Sequence, residues 1–183
     1  MHFKIKIKVR AIVHTKEGGV FKKYPWKSAN SLIKAFIQIL MAQMSGFNQT
    51  IKNTSGVNVS VPASLYNFSV APGAGITTYG ILIGPGTTPV TMEDYKLEAQ
   101  ITTNVPHGAQ GVTLENPNSS TWRIVLTRVF TNNTGGVLGI KEVGFYTLAI
   151  GPGNYFCCER TLYSVDVPDG YPITFQYRIT ITL

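Results

Sequence analysis

Ile173-Thr-Phe-Gln-Tyr-Arg-Ile-Thr-Ile-Thr-Leu183 alternates strictly. Ile173, Phe175, Tyr177, Ile179, Ile181 and Leu183 share one parity, and Thr174, Gln176, Arg178, Thr180 and Thr182 share the other. Successive side chains of a strand point to opposite faces, so this period of two predicts a strand with one buried and one wet face. The pattern repeats upstream. Pro168-Asp-Gly170 ends a strand running from Tyr155 to Val165. Thr121 to Thr131 reads as a long strand centred on Trp122, Ile124, Leu126 and Val129. Asn132-Asn-Thr-Gly-Gly136 turns the chain back into Val137 to Ile150, with Ile140, Val143, Phe145 and Leu148 as its apolar positions. Successive strands with turn signals at this spacing predict a mainly β fold, an antiparallel jelly-roll-like β-sandwich.

An internal echo supports this. Ile81-Leu-Ile-Gly-Pro-Gly-Thr-Thr88 recurs as Leu148-Ala-Ile-Gly-Pro-Gly-Asn-Tyr155. Each copy is a short apolar run stopped by Gly-Pro-Gly, which reads as a strand entering a tight turn. Between Phe47 and Gly75 the chain is rich in Asn, Ser, Thr and Val, which predicts short strands or ordered loops. Thr91-Met-Glu-Asp-Tyr-Lys reads as a single helical turn capped by Thr91.

Near the N-terminus, Phe3, Ile5, Ile7 and Val9 alternate with Lys4, Lys6, Lys8 and Arg10, giving a strand with a basic outer face. Val20 to Tyr24 returns as the second arm of a hairpin. Ser28 to Met44 is the one amphipathic helix, with Ser28 or Asn30 as its cap and Gly46 at its end. Leu32, Ile33, Phe36, Ile39, Leu40 and Met44 recur at helical spacing, so the helix is expected to pack on a sheet. The 183 residues suit a single domain, 1–183, with the basic hairpin and helix in 1–46 and the sandwich body in 47–183.

Charge is unevenly placed. Nine Lys and Arg against Glu17 give +8 in the first 34 residues, while seven basic and eight acidic residues give −1 in the rest. Such a concentrated basic face attracts an anionic partner. Lys4, Lys6, Lys8 and Arg10 are the candidate contacts, and genome phosphates or an acidic neighbouring subunit are the candidate partners. A lysine-guarded edge strand is the competing reading. Charged residues are only 14% of the chain, which suits a subunit whose faces are covered by neighbours. No apolar run approaches a membrane span. Met1 leads straight into a strand with no apolar leader, which predicts an unprocessed chain.

No constellation for catalysis is legible. His2, His14 and His107 are scattered, whereas metal sites need clustered ligands. Glu93 and Asp94 are adjacent rather than facing, and no Gly-x-Ser-x-Gly elbow is present. The Gly-Pro-Gly turns lack the Gly-Lys-Ser/Thr ending of a phosphate loop. No enzyme activity, cofactor or metal is expected. Cys157 and Cys158 are neighbours and so point to opposite faces of a strand, one expected buried and one facing a neighbour or solvent. Asn48, Asn53, Asn58, Asn67, Asn118 and Asn132 head N-glycosylation patterns, which a chain rich in Asn, Ser and Thr also generates by chance. Tyr66, Tyr79, Tyr95, Trp122, Tyr146, Tyr155, Tyr163 and Tyr171 are candidate carbohydrate-binding aromatics, with core packing as the alternative.

Ile83-Gly-Pro-Gly-Thr-Thr-Pro-Val-Thr-Met-Glu-Asp-Tyr-Lys-Leu97 resembles a segment of structural proteins of tailed bacteriophages and related prokaryotic and archaeal viruses. Phe130-Thr-Asn-Asn-Thr-Gly-Gly136, then Ile140-Lys-Glu-Val-Gly-Phe-Tyr146, is similar to the Asn-rich turn and following strand of the same proteins. Val165-Asp-Val-Pro-Asp-Gly170 and the terminal strand complete a likeness covering residues 79–183. The resemblance implies a virion protein of capsid shell, vertex or tail, with copies of itself and other virion proteins as partners. It implies no catalytic residue. Its motif turn comprises Gly84, Gly86, Thr87, Thr88, Asp94 and Tyr95, with Tyr95 and Leu97 expected to plug back into the sandwich. The alternative is a receptor- or glycan-binding module displayed on the virion, as a tail fibre or spike.

Overall fold

Strand β1 (Lys4–His14) runs antiparallel to the last strand, β11 (Pro172–Thr182), in unbroken register from Lys4 opposite Thr182 to Val13 opposite Ile173. The two most clearly alternating stretches of the chain therefore lie side by side, apolar parity matched to apolar parity. The computed structural model describes residues 4–29, 32–151 and 153–182, with Lys4 described by its backbone only. Asn30, Leu183 and the Pro152 of the second Gly-Pro-Gly lie outside the described residues.

The elements follow in chain order. After β1 come β2 (Val20–Lys23), β3 (Lys27–Ser28) and α1 (Lys34–Ser45). Then come β4 (Gln49–Lys52), β5 (Asn58–Val61), β6 (Gly80–Gly84) and β7 (Gly111–Asn118). The series ends with β8 (Thr121–Thr131), β9 (Leu138–Leu148), β10 (Tyr155–Val167) and β11. The larger sheet has the order β2-β1-β11-β8-β7, with β3 also on β1. A three-stranded sheet has the order β10-β9-β6, and β4 and β5 form a hairpin. All pairings are antiparallel, and among the described residues α1 is the one α-helix.

The two main sheets face each other across one core. Val9, Ala11, Leu126, Phe130, Phe175 and Tyr177 come from the larger sheet. Ile81, Ile83, Val143, Phe145, Phe156 and Cys158 meet them from the smaller one. Aromatic rings interlock edge to face, Phe145 on Tyr177 at 5.5 Å and Tyr163 on Phe175 at 5.5 Å. Full burial of each such side chain stabilises by about 1.5–3 kcal/mol.

Both faces of the three-stranded sheet are covered. Cys158 enters the main core, while Cys157 packs with Ile33, Leu82, Leu97 and Tyr146 beneath the chain returning from β6. The expectation that one cysteine would be exposed is therefore wrong: both are free and buried. Burial pushes both thiols up and out of the reactive range.

The helix begins six residues later than the periodicity predicts. Ser28 does not cap it, because Ser28 pairs with Lys8 in β3. Ile33 occupies the cap position without a side-chain bond. Tertiary carbonyls take over the role: Ile33 N–H donates to Cys158 O and Lys34 N–H to Met92 O, each at 3.1 Å. The end is as expected, with Gly46 left-handed at φ 72° and its N–H on Ala42 O. The buried stripe is Ala35, Ile39 and Ala42, with Phe36 half-buried against Phe68 at 5.4 Å. Met44, read as apolar arc, is 78% exposed.

Candidate functional site: a basic sheet face and a clamped motif loop

The motif resolves into an electrostatic clamp. Residues 85–101 leave β6, cross the outer face of the three-stranded sheet and return, and Glu142 of β9 and Arg160 of β10 reach up into the loop. The buried Glu142 carboxylate accepts N–H bonds from Gly86 (3.2 Å), Glu98 (3.2 Å) and Ala99 (3.0 Å), and from Arg160 Nε (2.7 Å). Arg160 carries the clamp onward, donating to Asp94 Oδ2 at 2.8 Å and to the carbonyl and hydroxyl oxygens of Thr88 at 3.1 Å. Glu98 Oε2 collects Thr87 N–H (2.7 Å), Thr88 N–H (2.9 Å) and Thr88 Oγ1 (3.0 Å).

These contacts set the charges. Burial pushes the Asp94 carboxyl up, but the bonds from Arg160 and Thr91 outweigh it and leave it below the ordinary range. The Thr88 and Thr87 amides hold Glu98 below its usual value. Burial alone would lower the Arg160 pKa, yet Asp94 and Glu142 raise it.

Each motif residue then has a physical reason. A Cβ on Gly84 would strike the Ala99 carbonyl and the Glu142 carboxylate. One on Gly86 would strike Glu142 and the Glu98 side chain. Both glycines are needed for close approach, since neither has a positive φ, whereas Gly151 and Gly153 of the second Gly-Pro-Gly sit at φ 105° and 91°. The repeated tripeptide thus serves two different ends. Thr91 caps no helix here. Asp94 instead reaches back to Thr91 N–H (3.1 Å) and Thr91 Oγ1 (2.8 Å), closing a turn. Leu97 is buried as expected, but Tyr95 is half-exposed and lies under Lys52 and Lys96.

Two further buried polar groups escape sequence reading. Arg128 projects inward from β8, where alternation calls for an apolar residue, and Val129 points outward. Its guanidinium donates to the carbonyls of Gly108 (2.9 Å), Tyr79 (3.1 Å), Ile81 (2.9 Å) and Ile76, tying residues 76–81 to the sheet. Desolvation lowers its pKa to about 10, so it stays charged at neutral pH. Glu159 lies in the interior, accepting from Tyr177 Oη at 2.5 Å and from the Thr161 hydroxyl. Burial pushes Glu159 up to about 8.

The basic face is wider than one strand. Register places Lys6 opposite Thr180, Thr180 opposite Arg123 and Arg123 opposite Glu115. The next row runs Lys8, Arg178, Val125, Thr113. Lys6, Lys8, Arg10, Arg123 and Arg178 therefore share the outer face with one described carboxylate, Glu115, which lies 3.9 Å from Arg123 and 3.8 Å from Arg178. Arg10 and Arg178 also sit over the Trp26 ring at 4.4 and 4.3 Å. Burial, and then repulsion from Arg123, lowers the pKa of Arg178. The Lys4 side chain lies outside the described residues. The sequence shows the β1 cations directly, but joining them to Arg123 and Arg178 requires the strand pairing.

Of the aromatic candidates, Tyr146 and Tyr163 are buried and are core residues. Tyr155 stacks on Tyr79 at 6.0 Å and edges a cleft of about 350 Å3 that Thr54, Thr77, Lys96, Glu98 and Gln100 also line. Asn53 and Asn132 of the glycosylation patterns are buried, and Asn132 donates to Gly136 O and Val167 O. Among the described residues no group of three or more His, Cys, Asp or Glu is placed to hold a metal ion. No helix among them is long and apolar enough to cross a membrane.

Comparison with protein-family models, curated proteins and solved structures finds no match to this chain.

Proposed function

We propose that the chain is a non-enzymatic virion structural protein, a self-assembling subunit of the capsid shell, vertex or tail of a tailed bacteriophage or related prokaryotic or archaeal virus. In this reading its body is a jelly-roll-like sandwich, and it resides in the virion. The observation that carries the proposal is the uncovered end of the larger sheet. There the core-side parity continues past the smaller sheet, leaving Ile5 (54%), Trp122 (48%), Ile124 (39%) and Leu114 (65%) exposed on neighbouring strands. A contiguous apolar patch beside β7, the last strand of the larger sheet among the described residues, favours burial against another chain. The motif supports the same reading, because its polar groups are used up in holding a loop rather than left free for chemistry. The basic face then meets genome phosphates or an acidic neighbouring subunit. Light scattering at micromolar concentration, with electron microscopy of the same sample, tests this. Defined oligomers or particles are expected, and a strict monomer that joins no particle overturns it.

A second reading, a receptor- or glycan-binding module on the virion, draws on the threonine-lined cleft beside Tyr155. Binding on a glycan array that is lost with Tyr155→Ala would favour it.

A further inference from the structure

The arginines of the chain divide into two groups. Arg128 and Arg160 are buried, and carbonyls and carboxylates take up their guanidinium donors. Arg10, Arg123 and Arg178 stand together on the outer face of the larger sheet, and their donors are poorly used. The Nε groups of Arg123 and Arg178 are buried without a hydrogen-bond partner among the described residues. Glu115 stands 3.9 and 3.8 Å from the two guanidiniums, outside hydrogen-bond distance. Arg10 donates its Nε to Gln176 Oε1 at 2.8 Å. Buried donors left unmet are costly, and an anion that meets them removes the cost.

We propose that these three arginines, with Lys6 and Lys8, form a site for the phosphodiester backbone of a nucleic acid, bound without regard to base sequence. The inference deepens the reading above, which leaves this face to genome phosphates or an acidic subunit, and rests on it for the source of the nucleic acid.

Strand register sets the shape of the site. Arg10 shares a row with Gln176 and Thr127, Arg178 the next row with Lys8 and Val125, and Arg123 the row after that with Lys6 and Thr180. The three arginines therefore step diagonally across β1, β11 and β8, at about 7–8 Å per step. Thr180 lies between Lys6 and Arg123, two residues from Arg178, so cations border it on three sides. Trp26 supports the first step. The guanidinium carbons of Arg10 and Arg178 lie 4.4 and 4.3 Å from its ring centroid, which holds two like charges close together. Burial first, and then repulsion from Arg123, lowers the pKa of Arg178.

Two features favour phosphates over the carboxylates of a protein. The first is the surface between the cations. Thr180, Gln176, Thr127, Thr113 and Ser28 surround them, and Val125 is buried. Protein–protein interfaces have an apolar core, whereas protein–DNA interfaces are more polar and more positive. The exposed apolar side chains Ile5, Trp122, Ile124 and Leu114 have the opposite parity and lie on the other face of the sheet. The second is repetition. A guanidinium fork matches two oxygens of one phosphate, and a nucleic-acid strand offers a phosphate at every nucleotide to a row of forks.

The experiment measures binding of a fluorescein-labelled duplex DNA of arbitrary sequence by anisotropy across a salt series, with light scattering of the same samples. Arg123→Gln with Arg178→Gln is the test variant. Lys52→Gln with Lys96→Gln removes the same charge from exposed positions off this face and is the control. Each neutralised phosphate adds about 0.9 to the logarithmic salt slope, so each lost contact lowers affinity about 8-fold at about 0.1 M salt. The test variant should bind about 60-fold more weakly with a slope shallower by about 2, and the control should bind nearly as the parent does. Glu115→Gln keeps every cation and guards against a test variant that fails to fold. It should bind several-fold more tightly, and unchanged or weaker binding overturns the proposal. Equal weakening of both double variants overturns it, because net charge would then suffice. Polyglutamate that displaces the DNA at equal charge overturns it, because any polyanion would then serve. A parent that binds no DNA at low salt, yet forms oligomers that the test variant cannot, overturns the nucleic-acid site and leaves self-assembly standing. A parent that binds no DNA and stays monomeric overturns both.

Discussion

Replacing Glu142 with Ala removes the acceptor on which the motif loop hangs. The buried carboxylate satisfies three backbone N–H groups and Arg160 Nε. Deleting one partner of a buried ion pair costs about 3–5 kcal/mol, and each buried N–H left without a partner costs about 1–3 kcal/mol. These losses do not add. Arg160 keeps Asp94 and Thr88, and the Glu98 and Ala99 amides lie near enough to solvent for water to replace the carboxylate. The expected loss is therefore about 3–5 kcal/mol, a large part of the roughly 5–15 kcal/mol that stabilises a domain. At about 2–4 °C per kcal/mol for a chain of this size, the Tm falls by about 10 °C. Glu93→Gln is the internal control. It breaks the exposed 3.1 Å pair with Lys34, worth about 0–1 kcal/mol. Guanidinium unfolding of the three proteins, followed by tryptophan fluorescence and circular dichroism, gives the differences. Hydrogen exchange should quicken first at Gly86, Glu98 and Ala99. A Glu142→Ala protein within about 1 kcal/mol of the parent would refute the reasoning, because the clamp would then hold nothing.

Three further outcomes are expected. Glu159 binds its proton up to about pH 8 when folded but loses it near 4.5 when unfolded, so its contribution is whole below about 4.5 and is lost as pH rises to about 8. Stability should fall by a few kcal/mol across that window and be flat in Glu159→Gln, as urea melts at a series of pH values would show. Ile39→Ala, which opens a cavity at a fully buried helix position, should cost about 2–5 kcal/mol, while the exposed Met44→Ala should stay within about 0.5 kcal/mol. Changing Lys4, Lys6, Lys8 and Arg10 together to Gln should weaken DNA binding and flatten its salt dependence if phosphates lie on this face, or impair particle assembly if an acidic subunit does. Unchanged binding and assembly at every salt would leave only a lysine-guarded edge.

The alternating strands were readable because period two survives wherever one face is wet, as in β1 and β11. The strands of the smaller sheet are readable by their length and their breakers, but the cover on both their faces is not, and neither therefore is the burial of both Cys157 and Cys158. Local pattern predicts a capping side chain and so places the helix start too early, because Ile33 and Lys34 find their carbonyl partners in Cys158 and Met92, distant in sequence. Local pattern does not mark strand β7, because Gly111-Val-Thr-Leu-Glu-Asn-Pro-Asn118 is largely polar and interrupted by Pro117. The motif announced itself as a set of residues, but its purpose lay in Glu142 and Arg160, neighbours only through sheet pairing. Arg128 broke the alternation of β8 inward, and no local signal marks a buried guanidinium whose partners are carbonyls of residues 76–108.

The central claim is that this chain builds virus particles. Its most direct test is to purify particles from cells making the protein, count its copies by mass spectrometry and locate it by electron cryo-microscopy. The account predicts many copies per particle, arranged with the particle's symmetry. A protein abundant in the lysate but missing from intact particles would contradict it.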